Sequence, residues 1–178
     1  MLGEGKQKME VRRLGPEDTE AFVKVRLEGL QTDPDAFGAT YEEEIKRPMA
    51  EWQERLSQGP EGDSGYFGAF VGGELAGIIG YFRHRGLKAR HKASVVSMYV
   101  REAHRGTGVA AALMQEELAY LRQRGDIDQV QLAVVTTNPG AVRFYEKMGF
   151  LPYGLEKRAL KTGERYVDET HMYMLLHD

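Results

Sequence analysis

The stretch from Val95 to Ala112, VVSMYVREAHRGTGVAAA, constrains this chain more than any other. An apolar run leads into Arg-Glu-Ala-His-Arg, then into Gly106, Thr107 and Gly108, and then into an alanine-rich segment. That order predicts a strand, a turn and a helix. The first N–H groups of a helix lack intrahelical partners and lie at the positive end of its dipole, so such a turn is a ready-made anion site. Gly106 and Gly108 remove Cβ atoms where a phosphate comes close, and Arg105 adds a fixed positive charge.

Around this stretch the chain alternates strand and helix signals. Met1 to Lys8 is polar and Gly-rich and reads as a flexible tail, with Met9 an alternative start. Residues 9–178 read as one domain, since 178 residues bury roughly 70% of their unfolded surface in a single core. Glu10 to Leu14 reads as a strand, and Gly15-Pro16-Glu17-Asp18 as the opening of a helix whose face carries Phe22, Val25 and Leu30. Asp33-Pro34-Asp35 breaks it. A second helical segment spans Thr40 to Leu56 with an interruption near Pro48; its Glu42–Glu44 run reads as a solvated face, and Trp52 and Leu56 as core. Tyr66–Val71 and Leu75–Arg83 form a hairpin about Gly72-Gly73-Glu74. The basic Arg83–Lys92 stretch is the next hairpin tip, and Ala93–Val100 the strand that feeds the glycine turn. A helix over Gly108–Arg124 ends at Gly125, and Gln129–Val135 is a buried strand. Asn138-Pro139 starts a helix whose face holds Ala141, Phe144, Tyr145 and Met148, with Phe144 read as core. Phe150–Leu160 and Arg165–Leu176 form a final hairpin. Mixed alternation of this kind implies an α/β fold with a mixed sheet.

Two motifs support a family resemblance. Arg105-Gly106-Thr107-Gly108-Val109-Ala110 resembles the Arg/Gln-x-x-Gly-x-Gly/Ala motif of the GCN5-related N-acetyltransferase (GNAT) superfamily. Asn138 to Phe150, NPGAVRFYEKMGF, is similar to a second GNAT signature, Asn-x-x-Ala-x-x-Phe-Tyr-x-x-x-Gly-Phe, one helix and one strand further on. The resemblance implies a single-domain, V-splayed central sheet flanked by helices, with a bulge near Ser97-Met98 and acetyl-CoA as co-substrate in the opening. It implies that Arg105, Gly106, Thr107, Gly108, Val109 and Ala110 cradle the pyrophosphate. By the same resemblance, backbone groups of Met98 and Val100 hold the pantetheine amides and one faces the thioester oxygen, Asn138 contacts the pantetheine arm, and Tyr145 lies near the sulfur.

The implied chemistry is direct acyl transfer to a primary amine. A backbone N–H stabilises the charge that develops on the thioester oxygen. The Tyr145 hydroxyl, with an ordinary pKa of about 10, can protonate the leaving thiolate. Many family members carry a Glu on the fourth strand that helps deprotonate the amine, but Ala93 to Met98 contains no carboxylate. A lysine amine of pKa about 10.4 is only about 0.1% neutral near pH 7.4, a deficit of roughly 4 kcal/mol. Three sources could fill the gap: Glu42–Glu44, Asp168-Glu169 with His171, and His84. No base is assigned among them. Phe37, Tyr41, Glu44, Trp52 and Glu169 are candidate acceptor-lining residues, because in the family these segments shape the acceptor pocket.

Composition narrows the alternatives. Without cysteine there is no disulfide, no thiolate metal site and no acyl-cysteine route, and the five histidines show no ligand-like pairing, so no metal is expected. A net charge of −3 speaks against general nucleic-acid binding. No apolar run approaches the ~20 residues of a membrane span, and no signal-peptide pattern opens the chain. The expectation is a cytoplasmic acyltransferase acting on a small-molecule or peptide amine, with no nucleic-acid or membrane partner. The resemblance allows a homodimer. The competing readings are an acyl-CoA-binding module or sensor without turnover, and a nucleotide site, which would lack both a Walker Lys-Ser/Thr and a full G-x-G-x-x-G.

Overall fold

The computed structural model describes residues 8–177; the expected N-terminal tail falls almost wholly outside them. Seven strands form one sheet in the order β1-β2-β3-β4-β5-β7-β6. They are β1 (Met9–Arg13), β2 (Ser64–Val71), β3 (Glu74–Arg83), β4 (Lys92–Val100), β5 (Gln129–Val135), β6 (Leu151–Thr162) and β7 (Arg165–Leu175). Every neighbouring pair is antiparallel except β4 and β5. The helices are α1 (Thr19–Thr32), α2 (Tyr41–Glu44), α3 (Met49–Leu56), α4 (Val109–Arg124) and α5 (Pro139–Lys147).

Apolar side chains divide between the two faces. On one, Leu113, Met114, Leu118 and Leu121 of α4 pack on Ile79, Val95, Val130, Leu132 and Met172. On the other, Phe22, Val25 and Leu30 of α1 and Trp52 and Leu56 of α3 pack on Leu75, Ile78 and Tyr99. The β2–β3 turn needs two residues at positive φ, and Gly72 (59°) and Gly73 (87°) supply them. Gly125, at φ 72°, caps the C-terminus of α4 in the left-handed conformation. No helix among the described residues is long and apolar enough to cross a membrane.

Two details differ from expectation. The final hairpin has a tighter turn, with only Gly163-Glu164 between its strands. The Glu42–Glu44 run is not uniformly solvated: Glu44 is buried, because α2 is a single turn whose end tucks against α1.

Candidate functional site

The sheet opens where its one parallel pair should continue. β4 and β5 are in register only over Lys92–Ser94 and Gln129–Gln131, after which they part. A bulge in β4 lies where the pairing with β3 shifts between Gly80↔Val96 and Ile78↔Tyr99. At its centre Ser97 takes φ 59°, a left-handed conformation that costs a non-glycine residue about 1–2 kcal/mol. Arg26 of α1 holds it: Nη1 donates to Ser97 Oγ at 2.6 Å, while Nε and Nη2 donate to the two carboxylate oxygens of Glu44 at 2.6 and 2.9 Å. The arginine and glutamate are both almost fully buried.

The opening is a cavity of about 970 Å³. Arg105 and Ala110, on either side of the glycine turn, line one wall, and the turn residues themselves lie beside it. Gly106 (φ 71°) and Gly108 (φ 90°) both need positive φ, and a Cβ built on either would meet nothing within 4 Å, so open space lies against the turn. Gly108 leads into α4 with no side-chain cap; the first helical bond there is Ala112 N–H to Gly108 carbonyl, leaving the preceding N–H groups free. The Val109 side chain faces the core, so this residue offers only its backbone. Thr107 is exposed, and its hydroxyl donates to the His104 carbonyl at 2.5 Å. Arg105 lines the cavity without a free charge: Nη2 is 2.5 Å from Asp33 and Nε donates to the Val100 carbonyl at 3.0 Å.

α5 completes this wall. Asn138 caps it, Oδ1 accepting from Ala141 N–H at 3.0 Å. Asn138, Ala141, Phe144 and Tyr145 line the cavity with Met98, Val100 and Ala110. Phe144, expected in the core, packs against the core and also faces the opening. Tyr145 is half-buried, edge-on to Phe144 and Phe150, and its hydroxyl has no hydrogen-bond partner among the described residues. Burial pushes its pKa up to about 12, assisted by the carboxyl of Glu117, so the phenol keeps its proton at neutral pH. Glu117 is a residue the sequence did not flag. It is fully buried on α4, neither carboxyl oxygen has a hydrogen-bond partner, and burial raises its pKa well above the carboxylate range.

The opposite wall carries Arg26, Phe37, Tyr66, His84, Glu169 and His171. Of the expected acceptor-lining residues, Phe37 and Glu169 line the cavity, and Tyr41, Glu44 and Trp52 do not. Trp52 is core, edge-on to Phe22 at 5.7 Å; Tyr41 packs against the same cluster, and the Glu44 carboxylate is taken by Arg26. Of the three candidate base sources, Glu42–Glu44 therefore lies away from the cavity. His84 shares a hydrogen bond of 2.8 Å with Ser94 Oγ, and burial, Lys92 and His91 lower its pKa. Asp168 is bonded to the Lys157 ammonium at 2.6 Å and the Arg158 N–H at 2.8 Å. Its neighbours Glu169 and His171 share one face of β7 and line the cavity, opposite the face that buries Met172.

Comparison with known proteins agrees with this architecture. A family model described as "Acetyltransferase (GNAT) family" matches residues 28–150. The chain is 31% identical to the L-amino acid N-acetyltransferase AaaT of Escherichia coli K12 over 122 residues, 68% of this chain and 73% of that protein. It is 31% identical over 135 residues to the mycothiol acetyltransferase of Thermobispora bispora, covering 75% of this chain but only 43% of that longer protein. The fold matches yncA of Salmonella typhimurium, solved with its cofactor acetyl-CoA, with a TM-score of 0.80 at 18% identity, covering 96% of this chain and 95% of that one.

Proposed function

Because the chain belongs to the GNAT acetyltransferase family, we propose that it is an acetyl-CoA-dependent N-acetyltransferase that acts by direct attack of a primary amine. One observation carries the reading: the splay of β4 from β5 puts an uncapped helix start, an unpaired strand edge and a protonated tyrosine along one cavity.

The residues fit acetyl-CoA. Open space over Gly106 and Gly108, with the free N–H groups of α4 beneath it, suits a pyrophosphate. Beyond Ser94 the edge of β4 that faced β5 has no partner strand, so the backbone of Met98 and Val100 can meet the pantetheine amides. Ala141, Phe144 and Val134 give that arm an apolar floor. When bound, acetyl-CoA supplies an acetyl group on a thioester whose sulfur leaves as a thiolate.

The chain's own groups do the rest. The backbone of the bulge, fixed by Arg26 through Ser97, presents preorganised dipoles to the carbonyl oxygen. Tyr145 holds a proton at Oη, the form required of a general acid. Asn138 keeps the start of α5, and through it Tyr145, in place. The acceptor is an amine of a small molecule or peptide.

Calorimetric titration with acetyl-CoA, alongside a Gly108→Glu variant, tests the reading. Binding is expected in the parent and absent in the variant, where a Cβ at φ 90° and a negative charge occupy the anion site. Transfer to an amine panel completes the test. Binding without transfer to any amine would favour an acyl-CoA sensor instead.

A further inference from the structure

The charged groups of the cavity can be balanced one by one. Arg26 is neutralised by Glu44, and Arg105 by Asp33. His84 is hydrogen-bonded to Ser94 Oγ, and burial, with Lys92 and His91 nearby, disfavours its charged form. His171 Nε2 lies 2.7 Å from Glu156 Oε2. Glu169 lines the cavity and, among the described residues, has neither an ion pair nor a hydrogen bond. Among the described residues one anion in the cleft, Glu169, has no partner, and each arginine that lines it has one.

The sheet places that anion at the acceptor side. In the β5–β7 register Val135 lies opposite Glu169 and Ala133 opposite His171, and directly opposed side chains share a face. Neither β5 residue is polar, so Glu169 meets charge only from Glu156, opposite it on β6, and from His171 on its own strand. One ligating atom from each of these three side chains falls within 4.8 Å of the other two. Glu169 is partly buried, whereas Glu156 is exposed, so the three lead from the cleft to solvent.

Resting on the acetyltransfer reading, we infer that Glu169 receives a cationic amine acceptor and takes its proton, with His171 and Glu156 carrying that proton to water. The ammonium gives one proton to the Glu169 carboxylate, leaving a neutral amine and a neutral acid. The proton then passes to the free ring nitrogen of His171, directly or through one water, while Nε2 releases a proton to Glu156. Glu156 passes it to solvent, and His171, left as the opposite tautomer, regains its starting form by giving the Nδ1 proton to water and taking one back at Nε2. Burial raises the pKa of Glu169, which makes it a better base; Glu156 acts in the same direction and His171 against it. The same balance selects the substrate. A polyamine or a lysine-like side chain finds an anion waiting, while an acceptor with its own carboxylate finds no free arginine.

The test uses the purified full chain, acetyl-CoA, and two amines: 1,4-diaminobutane and 4-aminobutyrate. The diamine should be preferred at least tenfold in kcat/KM. Glu169→Gln should lower kcat/KM for the diamine by about 100-fold at pH 7, with the loss shrinking toward pH 10, where the amine deprotonates unaided. The KM for acetyl-CoA should not move, Glu169→Asp should recover part of the rate, and His171→Gln should lose about tenfold. In the presence of CoA, the diamine should raise Tm in the parent and not in Glu169→Gln. Preference for 4-aminobutyrate, or a Glu169→Gln pH profile parallel to the parent's, would overturn the inference. Failure to acetylate either amine, or any in a wider panel, would instead overturn the acetyltransfer reading; the CoA-dependent thermal shift would still decide whether Glu169 binds the diamine.

Discussion

On the α4–α5 wall of the cleft, each feature is set by residues a few positions apart. Gly108 stands directly before its helix, Asn138 caps three residues ahead, and Tyr145 lies two turns further on. On the facing wall the decisive contacts join distant residues: Arg26 reaches Glu44 across 18 positions and Ser97 across 71. The first wall is built from backbone conformation and helix ends, features that suit an anion. The second uses a buried ion pair to hold a strained strand. Local chemistry of the first kind can be written as a motif, and pairings of the second kind cannot.

The largest expected effect follows from that second wall. Arg26→Met leaves the Glu44 carboxylate buried without a partner and should cost about 3–5 kcal/mol in denaturant unfolding. A double variant, Arg26→Met with Glu44→Leu, should regain most of that stability. Transfer activity should stay low in the double variant, since nothing then holds Ser97 at φ 59°. A double variant that recovers both would show that the pair serves stability alone.

The first wall is tested through its phenol. Tyr145→Phe should lower kcat about 100-fold, or about 2.7 kcal/mol, and leave acetyl-CoA affinity within about twofold. Single-turnover kinetics with acetyl-CoA and an accepted amine would measure it. An unchanged chemical step would assign Tyr145 to packing against Phe150.

These contrasts explain what was legible in the sequence. The strand and helix order, both glycine positions and the Asn138 cap are local events, and each appears where the residue pattern places it. The position of the β4 bulge came from the family resemblance. Trp52 was readable as core from its i, i+4 partner Leu56, yet also stood among the acceptor-lining candidates; only the packing on Phe22 decides between the two. Glu44 reads as one more residue of an acidic run, and nothing in the sequence singles out Arg26. Nothing within ten residues of either announces the partner. Glu117 was hidden for another reason: on α4 it sits among apolar residues as if it were one of them.

Glu117 provides a smaller and pH-dependent effect. Replacing it with Leu should stabilise the fold by about 1–3 kcal/mol at pH 7, because no hydrogen bond compensates its burial. Its folded pKa lies above the unfolded value, so the native state binds the extra proton. Its contribution is most favourable below the ordinary value of 4.5 and declines as pH rises toward the folded pKa. The advantage of Glu117→Leu should therefore grow over that range in urea titrations at successive pH values. The same substitution should lower the pKa of Tyr145, whose rise Glu117 assists, which ultraviolet titration against the Tyr145→Phe background can read. A pH-independent difference would mean that the carboxyl is hydrated.

The smallest expected effect concerns the contact that joins the two walls. Asp33, just past the end of α1, holds the Arg105 guanidinium at 2.5 Å, so a phosphate entering the glycine turn competes with a carboxylate for the same cation. Both side chains are nearly half exposed, and exposed pairs of this kind contribute about 0.2–1 kcal/mol. Asp33→Asn should thus tighten acetyl-CoA binding by no more than about fivefold. The gain should shrink as salt rises, because ions screen the pair and the phosphate contact alike. Titrations at low and high ionic strength distinguish two roles for Asp33. Tighter binding at low salt marks it as a competitor that keeps the anion site from filling strongly. Weaker binding would mean that Asp33 orients Arg105 toward the cavity, so that a residue of the acceptor side helps to build the donor side.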